Sequence, residues 1–491
     1  MALYYWVGGS GTWDNSSNVH WSLSSGGAGG AGIPTTADSV SFDGNSGTAA
    51  VITVASTAAC STCIINKSDI NVSLSANATL HASGSSIFDF VSGTLTLNSY
   101  TLKVWKFKSS YTSTRTIAFG TGKMQVEGGD SGSFYKIWDA GTLTGFSATG
   151  SLNVEISKNA TTGQRYISHG YAAGGSASTA LNFSVTAGSD SFTADGPLYV
   201  NNMSYSGYSG TIANIQMSIY GNFTLSATMT IGGGTQIATF LGSGTQTITS
   251  NGQTYDAPIT VNGTANTVTL ADNLAIGATR QLRLTNGTFD ANNKNVTIGT
   301  FALSAGTKTL NMGSGTWTVA GATWNANTNV TGLTVNPSTA TITMTSGSAK
   351  TFSGGGLTWP TLNQGGAGAL TISQSNTFTN LTNTTQPATV TLTAGTTQKL
   401  TSFSLSGTAG NLITLNSSSA GTKAYLSAPY QTISMSYVAI QDVYFKGGAI
   451  WLAPTTSGNV DNGGNFGVSF SGSSGIVARY NQRKAKVIPG I

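Results

Sequence analysis

TRTIAFGTGKMQVEG, Thr114–Gly128, and TKTLNMGSGTWTVAG, Thr307–Gly321, align without a gap at an offset of 193 residues. Each reads as a basic residue, Thr, an apolar residue, any residue and a second apolar residue. Gly, Ser or Thr and Gly follow, and then an alternating strand that ends in Gly. Upstream of each lies another strand led by Gly-Thr, GTLTLNSYTLKVW from Gly93 and GTFDANNKNVTIG from Gly287. GSGTQTITSNG from Gly242 and SAKTFSGGGLTW from Ser348 repeat parts of the phrase. Self-similarity of this kind is the mark of a repeat architecture, in which one unit cannot bury its own apolar side and stacking supplies the core.

Strands of four to seven residues alternate with Gly, Asn and Ser corners along most of residues 46–445. A string of β-sandwiches and a parallel β-helix both use short strands. Hairpin turns of the Asn-Gly type at regular spacing between long alternating strands are missing, which argues against the sandwich. A stacked coil can place Thr, Ser and Asn in outward or corner rows and Val, Ile, Leu and Ala inside. The expected fold is therefore all-β, a right-handed parallel β-helix. At roughly 20–30 residues per coil, the 400-residue body makes about 13–20 coils.

Composition agrees. Charged residues are 8% of the 491, against roughly 25% in an ordinary soluble domain. Glycine numbers 64, and only two glutamates occur, Glu127 and Glu155. Glu, Lys, Arg and Gln, which favour helices, are scarce, while branched residues suited to a pleated surface and corner residues are plentiful. Disordered chains combine low hydrophobicity with high net charge. This chain carries +5 with apolar residues throughout, so disorder is disfavoured.

The expected organisation is an N-terminal cap over residues 1–45, plugged by Trp6, Trp13, Trp21 and Phe42. A β-helix follows over 46–445, with 130–210 a possible inserted or loop-rich binding region. Terminal coils occupy 446–470 and a basic tail 471–491. The caps cover strand edges that otherwise invite aggregation. The tail holds Arg479, Arg483, Lys484 and Lys486; without these four the body is nearly neutral. No basic face accompanies them elsewhere, so docking on a partner protein is favoured over nucleic acid. The cysteines, Cys60 and Cys63, read as a reduced pair borne on a strand, where residues three apart point to opposite faces. His20, His81 and His169 lack ligand spacing, so neither a metal nor another cofactor is expected. The opening MALYYWVGGSG has neither the basic start nor the apolar run of a signal peptide, and no stretch reaches the ~18 apolar residues of a membrane span.

The phrases YWVGGSGTWDNSSNVHWS, GSGTQTITSNG, SAKTFSGGGLTWPTL, SQSNTFTNLT, LSGTAGNLITLNSSSAGTKAYL and YVAIQDVYFKGGAIWLAP with NVDNGGNFG resemble a family of Gly/Thr-rich β-helical repeat proteins. Its members occur in bacteriophage virions, as tail-fibre-like or structural proteins, and among bacterial surface adhesins. The resemblance covers the first 45 residues and most of 240–470, and it is poor over about 130–210. In the family the closing Gly-Gly-Asn is usually followed by Gly-Trp; here Phe466-Gly467-Val468 follows Asn465, so a differently packed final turn is expected. The resemblance implies a homotrimeric virion-surface protein that contacts other virion structural proteins and host cell-surface glycan, without membrane insertion. A phage protein is assembled in the host cytoplasm and leaves by lysis, which fits the missing signal peptide better than the adhesin route does.

Chemistry is sparse. Glycoside hydrolysis needs two carboxylates on one cleft, ~5–9.5 Å apart. Glu127 and Glu155, 28 residues apart, could stack on one face of successive coils, with Asp130, Asp139, Lys136, Arg165 and His169 nearby in sequence. Ordinary exposed charges are the favoured alternative, and no enzyme activity is expected. Binding is better supported. Tyr166, Tyr171, Tyr199, Tyr205 and Tyr208 lie among Ser, Gly and Asn in residues 162–210, the mix that adaptable binding loops use. They are candidates to meet a glycan or a neighbouring subunit. The expected role is attachment by a tail fibre, tailspike-like or particle-decorating protein. The alternatives are a polysaccharide-degrading tailspike, a bacterial adhesin and a capsid or tail cement protein.

Overall fold

Arg115–Ala118 pairs in parallel with Gly93–Thr96 on one side and Phe146–Thr149 on the other. Lys308–Asn311 pairs in parallel with Gly287–Asp290 and Leu333–Asn336. Each strand of the repeat thus bonds to the turn before and the turn after it, which makes the chain a parallel β-solenoid. A computed structural model describes residues 1–82, 84–129, 135–213, 215–232 and 237–471. The tail residues Arg479, Arg483, Lys484 and Lys486, and Asp130, lie outside the described residues. The described chain makes about 19 turns and contains no α-helix, only the 3₁₀ turns Ala177–Thr179 and Thr455–Ser457. Two units are distinguished, Met1–Gln253 and Thr254–Ile491.

Both units bury alternate residues, as a strand with one face inward must. In the first unit Cys63, Phe88, Phe107, Trp138, Ile167 and Ala194 stand on successive rungs of one inner column. Phe107 and Trp138 stack there at 4.2 Å between ring centroids, an arrangement worth about 1 kcal/mol beyond the area it buries. In the second unit the column runs Val296, Trp317, Ile342, Leu362, Leu381, Phe403. Outward positions carry threonine rows, such as Thr288, Thr309 and Thr334.

The two copies of the repeat do the same work. Gly120 and Gly313 both take the left-handed conformation, at φ +59° and +67°. A Cβ on Gly122 would collide with the carbonyl oxygen of Tyr100, and one on Gly315 with that of Lys294. The first glycine turns the corner and the second lets the next strand lie against the preceding coil.

The basic residue of the repeat points inward. Arg115 is 0% exposed, Lys308 1% and Lys350 2%. The Arg115 guanidinium donates to the carbonyls of Ser109, Ser113, Thr142 and Thr144. Lys308 donates to Gly306 and Thr331, and Lys350 to Ser346, Gly366 and Gly368. Gln246, at the same place in its phrase, donates to Ile219 and Gly221. The Ile219 carbonyl also accepts the Leu241 N–H; elsewhere strand pairing leaves corner carbonyls without backbone donors, and buried acceptors must find partners.

Asparagine is explained by the same need. Asn98, Asn251, Asn292 and Asn329 all have positive φ at corners. Each side-chain amide donates to a leucine carbonyl on the preceding coil, Leu74, Leu225, Leu270 and Leu303 respectively.

At the start of the chain, Leu3–Trp6 pairs in parallel with Ser39–Phe42 and antiparallel with Trp21–Ser22. Trp6, Trp13, Trp21 and Phe42 are buried together, with ring centroids 5.1–6.1 Å apart. Cys63 lies in the strand Thr62–Leu74, but Cys60 precedes it, and both thiols are free and buried. Opposite-facing cysteines are therefore corrected: the corner before the strand swings Cys60 inward as well. At the far end Asn465 donates to the Ile440 carbonyl and to Asp461, and leaves Phe466 half exposed against Tyr444.

Candidate functional site

The first unit carries a charged and aromatic strip on the outward face of one of its parallel ladders. The strands Phe88–Thr96, Phe107–Lys108, Tyr135–Thr142, Gln164–Ala173 and Ser191–Ala194 lie side by side. Their register sets Asp89, Lys108, Asp139 and Ser168 on successive rungs of one column, and Lys136, Tyr166 and Thr193 on the next.

Hydrogen bonds tie the strip together. Tyr111 donates to Asp89 Oδ1 at 2.7 Å, while Lys108 donates to Asp89 Oδ2 at 3.3 Å and to the Tyr111 hydroxyl at 2.6 Å. Lys136 lies 2.7 Å from Asp195 and 3.8 Å from Asp139. The Tyr111 hydrogen bond and the Asp89 charge hold the Lys108 ammonium above the usual lysine range. Burial works against the Lys136 ammonium, yet Asp195 and Asp139 together raise it above that range too. The charges remain open to solvent, with side chains 43% exposed at Lys108, 35% at Lys136 and 45% at Asp195. Such pairs contribute at most about 1 kcal/mol each to stability, so folding does not explain their concentration in a chain so poor in charge.

Tyrosines border the charges. Tyr171 is 41% exposed and lies over Gly141 and Gly196, where a Cβ would strike its ring. Tyr199 covers Gly170 and Gly175 in the same way. Tyr166 is half-buried and donates to Gln164 at 3.0 Å. The glycines under Tyr171 and Tyr199 let those two rings lie close to the backbone. The strip combines stiff apolar faces with carboxylate acceptors and ammonium donors within reach of one ligand.

Two of the five tyrosines singled out from sequence do not belong to it. Tyr205 and Tyr208 are 0% exposed and pack with Phe192 inside the solenoid. Their rings fall on inward positions, and the Tyr208 hydroxyl donates to the carbonyls of Asp190 and Thr211. A ligand or interface role is corrected for both. Arg165 and His169 are also interior. Arg165 forms a two-pronged ion pair with Asp190, 2.7 Å at each prong, with both side chains 1% exposed. His169 donates through Nε2 to the Thr179 carbonyl at 2.9 Å, and its Nδ1 accepts from Trp138 Nε1 at 3.3 Å. Burial pushes its pKa down to about 4.

Glu127 and Glu155 stand on the outward face of another ladder, Thr101–Val104, Lys123–Val126, Asn153–Ile156 and Leu181–Val185. Glu155 is level with Gln125, so Glu127 lies one rung back and two residues on. That places their Cα atoms about 8 Å apart. Each carboxylate is engaged. Glu127 meets His81 Nε2 at 3.0 Å and Lys103 at 3.4 Å, and Glu155 meets Lys123 and the Thr186 hydroxyl. Among the described residues no group of three or more His, Cys, Asp or Glu side chains is placed to hold a metal ion.

Asp89, Lys108, Tyr111 and Asp195 escaped the sequence reading. Lys108 is 19 residues from Asp89 and Lys136 is 59 from Asp195, distances that only coil stacking closes. The available signal was the crowding of lysine and aspartate between residues 89 and 195. Comparison with protein-family models, with curated proteins and with solved structures finds no match to this chain.

Proposed function

We propose that this β-solenoid is a structural, surface-exposed protein of a bacteriophage particle that attaches to glycan on the host surface. The reading places it as a tail fibre, tailspike-like or particle-decorating protein, assembled as a homotrimer and docked on other virion proteins through its basic C-terminal tail. The observation that carries attachment is the strip of Asp89, Lys108, Tyr111, Lys136, Asp139, Asp195, Tyr166 and Tyr171. Sugars present apolar C–H faces and rings of hydroxyls, and rigid tyrosines beside charged donors and acceptors match both. The resemblance in the capping and repeat phrases supports the phage setting.

The test is binding of the purified full chain to a panel of bacterial surface polysaccharides. Wild type is expected to bind at least one. Tyr171→Ala with Asp195→Asn is expected to weaken that binding about tenfold, the loss of roughly 1.4 kcal/mol, without changing the unfolding midpoint. Equal binding by the variant overturns the site, and no binding to any polysaccharide or host cell overturns attachment. Light scattering checks assembly: a homotrimer has three times the 50.0 kDa mass of one chain.

A further inference from the structure

The second unit carries a different outward face near its C-terminal end. Tyr425 in Ala424–Ala428 is level with Tyr444 in Val443–Gly447, and Tyr444 is bridged in parallel to Phe466. Three aromatic rings from three successive coils thus form one column, with centroids 5.7 Å and then 4.9 Å apart. Phe466 is 49% exposed. The neighbouring column holds Lys399, Ser427 and Lys446 on successive rungs. Lys446 Nζ sits 4.2 Å from the centre of the Tyr425 ring. Tyr430, 90% exposed, stands over Gly448 just beyond Lys446.

The charges here differ from those of the first unit. There Lys67, Lys103, Lys108, Lys123 and Lys136 all have carboxylate partners. Lys399 and Lys446 have none among the described residues. The nearby carboxylate of Asp442 is turned to Lys423 at 2.9 Å and to the Gly421 amide at 2.9 Å. The face is therefore cationic and aromatic, with both ammonium groups available to an anion.

We propose that this face binds an acidic polysaccharide, one with carboxylates on alternate sugars. Two rungs separate Lys399 from Lys446, about 10 Å at the spacing of stacked strands, so one extended chain can set an acidic group against each. Ser427 and Tyr425 occupy the rung between the two lysines, where their hydroxyls meet sugar hydroxyls, while Tyr444 beside Lys446 and Phe466 one rung further on receive the apolar face of the sugar that follows. A neutral glycan leaves the two ammonium groups without counter-charge, whereas a carboxylate pairs with them at no cost to an existing ion pair. The assignment rests on the second unit alone and stands or falls separately from the strip on the first.

The test is titration of the full chain with a hyaluronan hexasaccharide, with a neutral dextran oligosaccharide as control. Wild type is expected to bind hyaluronan, to lose affinity as salt is added, and to ignore dextran. Lys399→Gln with Lys446→Gln is expected to weaken binding at least tenfold. Phe466→Ala, which leaves the charge unchanged, is expected to weaken it severalfold, and Tyr171→Ala on the first unit to leave it unchanged. Equal binding by all variants assigns the ligand to the basic tail and overturns the proposal. Equal competition by polyglutamate shows a site for acidic polypeptide, and displacement by phosphatidylglycerol vesicles shows one for a lipid surface; either result overturns it. So does failure of wild type to bind hyaluronan.

Discussion

Replacing Arg115 by Met tests the inward cation as a structural device. The Arg115 side chain is fully buried, has no carboxylate partner among the described residues, and donates hydrogen bonds to four corner carbonyls and the Ser109 hydroxyl. Burial lowers its pKa to about 10, which leaves it charged at neutral pH. Met fills a similar volume but donates nothing. Each orphaned buried acceptor costs about 1 kcal/mol at the low end of the range, so four cost about 4 kcal/mol. Arg115→Lys keeps the charge with three donors in place of five. Lys350 serves three carbonyls from the equivalent place, so the lysine variant is expected to lose only about 1–2 kcal/mol. The assay is amide hydrogen exchange over Arg115–Ala118 and Phe146–Thr149, the strands whose corners the guanidinium holds. In a stacked solenoid the effect is local. Arg115→Met is expected to exchange there roughly 10³-fold faster, from 4 kcal/mol at 1.4 kcal/mol per tenfold. Exchange in the Met variant within threefold of wild type refutes the reasoning, because water or backbone movement would then be satisfying those carbonyls.

His169 predicts acid sensitivity. Its folded pKa of about 4 lies below the unfolded 6.5. The unfolded chain therefore takes up the proton first, and stability falls as pH drops from 6.5 to 4, by about 3 kcal/mol in all. A denaturation series over that range checks it, and His169→Gln is expected to flatten the slope. Gly315→Ala places a methyl group against the Lys294 carbonyl and is expected to cost about 2 kcal/mol or more in chemical denaturation, since the backbone must move to admit it. If the chain is a depolymerase, Glu127→Gln or Glu155→Gln abolishes release of reducing ends from host polysaccharide. The attachment reading expects none from wild type.

Much of the coil was legible in the chain itself. The two copies of the repeat aligned in sequence also align in role, down to the paired glycines and the inward basic residue. The alternation of apolar and polar residues located the core, because a period of two leaves a strand little choice of face. The strip on the first unit was only partly legible. Tyr166, Tyr171, Tyr199, Lys136 and Asp139 were singled out, but Tyr205, Tyr208, Arg165 and His169 were grouped with them and lie inside. Composition marks a region as rich in tyrosine without saying which rings face inward. That depends on the rung each residue occupies, and bulges at Lys136/Trp138 and Ala140/Thr142 shift the register in this region.

Sequence alone determined the architecture: short alternating strands, glycine and asparagine corners, and a self-similar phrase 193 residues apart allow few other solutions. Tertiary structure alone decided which residues meet. Asp89 and Lys108, Lys136 and Asp195, Tyr425 and Tyr444 are neighbours because one coil lies on the next. Coil length varies along the chain: 19 residues separate the paired Leu362 and Leu381, and 31 separate Arg115 and Phe146. Local pattern fixes which way a side chain points, but a contact between coils depends on the summed length of every corner between them, and no single stretch of sequence encodes that sum.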